Sequence, residues 1–168
     1  MKQHKLKNIR VLAIALSNRG FGFAVMEGKE RLVDWGIKAV KRDKNAQCAA
    51  KIAELIAHYA PNVTVLENCA AQGSRRSPRI RELNEVIVCL ASEKKVKAEI
   101  FSRKEVLRCF FGDETGTKHA IAKAISVRFS DELGTRLPPK RCAWMSQDCR
   151  MGIFDAVALA LTFYMQNA

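Results

Sequence analysis

Two carboxylates stand where carboxylates are costly. Glu67 directly follows the apolar run Val63-Thr64-Val65-Leu66. That places it at the carboxyl end of a buried strand, where α/β sheets open their crevices. Asp155 is the only charged side chain between Arg150 and the C-terminus. Its neighbours Ile153, Phe154, Val157, Leu159 and Leu161 make the helix apolar almost all round, so this acid is expected in a buried setting. A lone buried carboxylate costs free energy unless a cation or hydrogen bonds compensate it. A bound Mg²⁺ is one compensation, since carboxylates are its preferred ligands. An ion pair with a nearby Arg, or a place near a helix N-terminus, is another.

Cations dominate the rest of the chain. There are 29 Lys and Arg against 17 Asp and Glu, a net charge of +12. They are spread along the chain: Lys2, Lys5, Lys7 and Arg10 lead in, and Arg75, Arg76, Arg79 and Arg81 crowd one short stretch. Lys94, Lys95 and Lys97 follow, then Arg103, Lys104 and Arg108, then Arg136, Lys140, Arg141 and Arg150. Excess charge of this size favours a polyanion, with nucleic acid ahead of an anionic membrane. The plainer alternative is a solvated basic surface. No basic amphipathic anchor helix stands out, and no run reaches the ~18 apolar residues of a membrane span. No signal-peptide order is evident, so a soluble cytoplasmic protein is expected. Trp144 sits beside Lys140 and Arg141. It can stack on an unpaired base or pack onto the domain.

Other chemistries lack support. His4, His58 and His119 lie in a basic tail, on a helix face and beside Lys118, with no Ser-His-Asp or Cys-His arrangement. The six cysteines are widely spread and form no Cys-x-x-Cys, which argues for reduced, mostly packed thiols.

The elements that must position these groups follow from periodicity. Residues 10–17 read as a buried strand, 21–27 as a second and 30–39 as a third, joined by Gly-containing turns into an antiparallel meander. Residues 44–60 are helical, and Pro61-Asn62 stops them. Residues 63–66 form a fourth strand, and 68–77 a polar, basic loop. Ser77 and Pro78 open a helix running to about Ser92. Residues 96–101 form a fifth strand, and short helix 103–111 follows. Another helix runs from Thr117 to about Leu133, then a Pro-containing loop spans 134–147. The last helix begins near Asp148 or Met151. The order predicts one domain over 1–168, a mixed five-stranded sheet with helices on both faces. Residues 1–9 are expected as a mobile basic lead.

This pattern resembles the RNase H-like fold, and within it the RuvC group of Holliday-junction resolvases. VLAIALSNRGFGFAV resembles that group's opening hairpin, VTVLEN the strand that delivers a catalytic Glu, and GIFDAVALALTFY its final helix. VLRCFFGDETGTKHAIAKAI resembles its short helix, Gly-bearing loop and Lys-led helix. The resemblance implies catalytic roles for Glu67 and Asp155, and Mg²⁺ or Mn²⁺ as cofactor. Departures accompany it. Ala15 stands where the group's first catalytic Asp belongs, with only Ser17 and Asn18 nearby. Leu16 and Ser17 stand where Pro and Gly are common. Gly152 stands where a further Asp is usual, and Asp148 can substitute as a metal ligand only if the helix begins early enough. Glu67, Asp155 and Asp148 are thus expected to hold one or two ions, weakened by Ala15.

The resemblance also locates the basic residues. Arg75, Arg76, Arg79 and Arg81 are expected to flank the cleft, with Lys118 near it and Lys140 and Arg141 in the later loop, all contacting phosphate without reading sequence. Helix 78–92 has more apolar surface than one sheet contact requires, and the resemblance implies a homodimer through it. The functional expectation is a nucleic-acid-binding protein, a metal-dependent endonuclease on branched DNA with an impaired or altered site. The alternative is an inactive protein that binds structured DNA or RNA without cutting. An actin-like kinase or ATPase needs glycine-rich phosphate loops on two subdomains, of which these 168 residues are expected to supply one half.

Overall fold

β1 (Arg10–Ser17), β2 (Gly20–Glu27) and β3 (Leu32–Ala39) form the antiparallel meander, and β4 (Val63–Glu67) and β5 (Lys97–Phe101) add in parallel on the far side of β1. The sheet order in this computed structural model, which describes residues 5–168, is β3-β2-β1-β4-β5. The first four residues of the expected basic lead, His4 among them, lie outside the described residues. β1 is central, which explains why it is buried at every position from Val11 to Leu16. Both of its faces are covered.

The period-2 alternation of a strand sorts its side chains between those faces. Val11, Ala13 and Ala15 join one apolar cluster with α3 (Arg103–Phe111), α4 (Lys118–Arg128), α5 (Ser130–Leu133) and α6 (Met151–Gln166). Leu12, Ile14 and Leu16 join the other, against α1 (Lys44–Tyr59) and α2 (Pro78–Glu93). The mixed sheet with helices on both faces is therefore as expected.

Local signals hold at the helix starts. Ser77 Oγ accepts from the Ile80 amide at 3.3 Å, with Pro78 opening α2. Ser102 and Glu105 form a reciprocal capping box on α3. Thr117 Oγ1 accepts from the Ala120 amide at 3.1 Å, making Lys118 the first residue of α4. One expected helix is divided. Phe129 leaves helical dihedrals (φ −112°, ψ 53°) and its ring is buried, so 117–133 becomes α4 and α5.

α6 is buried from Met151 through Tyr164 save at Gly152 and Asp155. Its start is pressed against β2. A Cβ on Gly22 would overlap the backbone of Gly152, and a Cβ on Gly152 would meet Ile37 Cδ1 at 3.0 Å and Gly22 Cα at 3.3 Å. Two glycines allow that approach. At the far end, the Tyr164 hydroxyl accepts from the Gly28 amide at 3.0 Å and donates to the Ile9 carbonyl at 2.6 Å. The cysteines correct an expectation: all six are free, but only Cys48 and Cys69 are buried, while Cys89, Cys142 and Cys149 are exposed.

Candidate carboxylate cleft and nucleic-acid interface

Ala15, Glu67 and Asp155 come from three elements and line one cleft. The β1–β4 register pairs Val11 with Val63 and Ala13 with Val65. Continuing it by two residues brings Ala15 beside Glu67, both facing α6. Asp155 lies on the second turn of α6 and completes the third side. The three positions that the sequence singled out are thus brought together, with a methyl group at the first.

The cleft supplies its own cations. Arg76 folds back from the 68–77 loop, and its Nε donates to Glu67 Oε2 at 2.6 Å. Its Nη1 donates to the Leu16 carbonyl at 3.1 Å. The guanidinium therefore spans the ends of β1 and β4. Lys118 Nζ reaches Asp155 Oδ2 at 3.5 Å. Two carboxylates and two cations make a neutral quartet. All four side chains are half-buried, at 26–33% exposure, so water screens them less than it screens surface pairs. Loss of water pushes the Asp155 carboxyl above the usual range, and Lys118 and Arg76 pull it back only in part.

Asp148 sits elsewhere on the rim. α6 begins at Met151, so Asp148 belongs to the turn before it. It shares a broader groove with Ala15 and Asp155, but it is engaged by its neighbour. Its Oδ1 accepts from the Arg150 amide at 2.9 Å, and its Oδ2 accepts from Arg150 Nη2 at 2.7 Å. Those bonds, the guanidinium's first, hold its carboxyl below the usual range.

The residues present do not fit a two-ion centre. Such a centre needs a carboxylate bridging ions ~3.5–4 Å apart. Position 15 is a methyl, position 152 is backbone pressed on Gly22, and Arg76 already engages Glu67. Among the described residues, no three His, Cys, Asp or Glu converge as ligands.

The expected phosphate contacts divide into three kinds. Arg75, Lys140 and Arg141 are exposed. Arg81 is exposed and reaches the Ser74 carbonyl at 3.3 Å. Arg79 is tied to α1, with Nη1 donating to Asn45 Oδ1 at 2.9 Å. Arg76 and Lys118 turn inward. The Arg76–Glu67 pair is the ion-pair alternative that the sequence left open, and which Arg supplies it is what sequence reasoning did not identify. Its only sequence signal is an Arg nine residues after an unpartnered acid, across a loop of no fixed period.

Solved structures share this architecture. The chain is similar to RuvC of Thermus thermophilus, with TM-score 0.70 and 17% identity, covering 94% of each chain. It is similar to the yeast mitochondrial Holliday junction resolvase, with TM-score 0.62 and 13% identity, covering 95% of this chain and 79% of that one. The fowlpox virus resolvase, solved with substrate Holliday junction DNA, gives TM-score 0.57 and 12% identity, covering 94% and 99%. No family profile and no curated protein matches the sequence. The fold is that of the RuvC-type resolvases, an RNase H-like sheet.

Proposed function

We propose that this chain binds branched DNA along its cleft and basic rim, and that phosphodiester cleavage is absent or far slower than a full carboxylate set would support. It acts as one RNase H-like unit over 1–168, in the cytoplasm. The carrying observation is Arg76, seated between Glu67 and the Leu16 carbonyl where the resolvase chemistry calls for divalent metal. An internal guanidinium removes the electrostatic need for an ion and leaves no ligand set to bridge two. The net charge of +12 and the exposed Arg75, Arg81, Lys140 and Arg141 supply the attraction to phosphate. Among the described residues, no helix is long and apolar enough to cross a membrane.

Partnering through α2 belongs to the same reading. Val86 is 44% exposed, and Ala49, Ala53, Cys89 and Leu90 line a shallow groove with it between α1 and α2. A second copy placed there would give a two-fold assembly matched to a two-fold junction.

A second reading rests on Glu67 and Asp155 sharing one cleft. With Arg76 displaced, those two carboxylates are the residues that would hold a single Mg²⁺ or Mn²⁺ and support endonuclease action. Retardation of a labelled four-way junction in EDTA, with linear duplex as competitor, tests the first reading. Preference for the junction without metal supports it, and equal affinity for both DNAs rejects it. Metal-dependent cutting that both Glu67→Ala and Asp155→Ala abolish favours the second.

A further inference from the structure

The loop between α5 and α6 carries the most exposed large apolar side chain of the described residues. Trp144 is 84% exposed, and Met145 beside it is 37% exposed. Trp144 stands at the tip of a tight turn closed by the Met145 amide donating to the Cys142 carbonyl at 3.0 Å. Among the described residues, its indole makes no aromatic pair, cation–π contact or hydrogen bond. Packing onto the domain, the other role open to it, is not what the fold uses it for. An exposed indole with no partner in the fold leaves both ring faces open to a ligand.

Two observations point to that ligand. The residues that follow, Ser146 to Cys149, line the same groove as Ala15, Arg76, Lys118 and Asp155. Trp144 is not itself in that lining, but it precedes it by two residues on the same loop. The residues before it include exposed Lys140 and Arg141, which suit a phosphate backbone arriving at that groove. An aromatic face flanked by cations is the composition that grips unpaired bases in single strands.

We propose that Trp144 stacks on an unpaired base at the branch point, making it the residue by which this protein prefers opened or branched DNA over continuous duplex. The inference rests on the DNA-binding reading and adds its source of structural selectivity. A paired, stacked base offers no free face, so the contact forms only where pairing is interrupted. Lys140 and Arg141 anchor the neighbouring phosphates and serve duplex and junction alike.

The test compares the full chain with Trp144→Ala, Trp144→Phe and Arg141→Ala. Binding is measured to a four-way junction, a gapped duplex and an intact duplex in EDTA. Trp144→Ala is expected to weaken junction and gapped binding about tenfold, within the range for loss of one base–aromatic stack, and to leave duplex binding unchanged. Trp144→Phe should restore most of that loss, and Arg141→Ala should weaken all three DNAs together. In the unaltered chain, indole emission should be quenched by the junction and not by the duplex, and Trp144→Phe should lose the quench. Equal weakening on all three DNAs would overturn the proposal. So would unchanged DNA binding with altered self-association in sedimentation, which would make Trp144 a protein contact. If the unaltered chain shows no preference for junction over duplex, the DNA-binding reading itself falls, and the inference with it.

Discussion

Replacing Arg76 by Ala probes the electrostatics of the cleft. The side chain makes a 2.6 Å bond to Glu67 and a 3.1 Å bond to the Leu16 carbonyl. Exposed ion pairs contribute about 0–1 kcal/mol, and breaking a buried one costs about 3–5 kcal/mol. At 28% and 27% exposure the pair lies between these limits, so the loss should be about 2 kcal/mol. For a chain of 168 residues that is about 4–8 °C in Tm. The loss has a second signature. With the guanidinium gone, Glu67 and Asp155 face each other without a shared cation, and a divalent ion can take its place. At about 100 times its Kd, such an ion returns about 2.7 kcal/mol through linkage. Thermal melts with and without Mg²⁺ or Mn²⁺ read both effects. The unaltered chain should show no metal-dependent shift, and Arg76→Ala should melt early and recover with metal. A metal-dependent shift in the unaltered chain as large as in the variant would refute the reasoning, as would a variant whose Tm does not move.

Three further outcomes follow from the geometry. The Asp155 carboxyl is raised above its ordinary value of 3.8, so the folded state binds the extra proton. Its contribution is therefore fullest below that value and is lost as pH rises through the folded pKa. Asp155→Asn should accordingly be more stable than the unaltered chain at neutral pH, with the gain vanishing near about pH 4 in parallel melts. Gly22→Ala should destabilise by about 1–3 kcal/mol in urea titrations through overpacking, because its Cβ overlaps the Gly152 backbone. Arg75→Ala should weaken junction and duplex binding uniformly and reduce the slope of log affinity against log salt by about 1.

The sheet was legible because its signals are local. The apolar run of β1, the Gly turns of the meander and the Ser77, Ser102 and Thr117 caps act within a few residues of themselves. Glu67 and Asp155 were legible because an acid after an apolar strand and an acid inside an apolar helix each violate a local rule. What satisfies them was not. The Arg76 pair depends on how an irregular loop returns over the end of β1. The Lys118 pair spans 37 residues of sequence. The approach of Gly22 to Gly152 joins β2 to the last helix, and no pattern in either segment encodes it. A side chain at position 152 would have to enter that contact. The break at Phe129 was hidden because the apolar period runs through it, and only the burial of the ring marks the change of direction.

The most direct measurement incubates the unaltered chain with an end-labelled four-way junction, in EDTA and in Mn²⁺, and resolves bound, free and cut DNA on paired native and denaturing gels. A retarded junction complex is expected in both conditions, resistant to excess linear duplex, with the strands intact. Rapid Mn²⁺-dependent incision, abolished in Glu67→Ala and Asp155→Ala, would contradict an internally neutralised cleft.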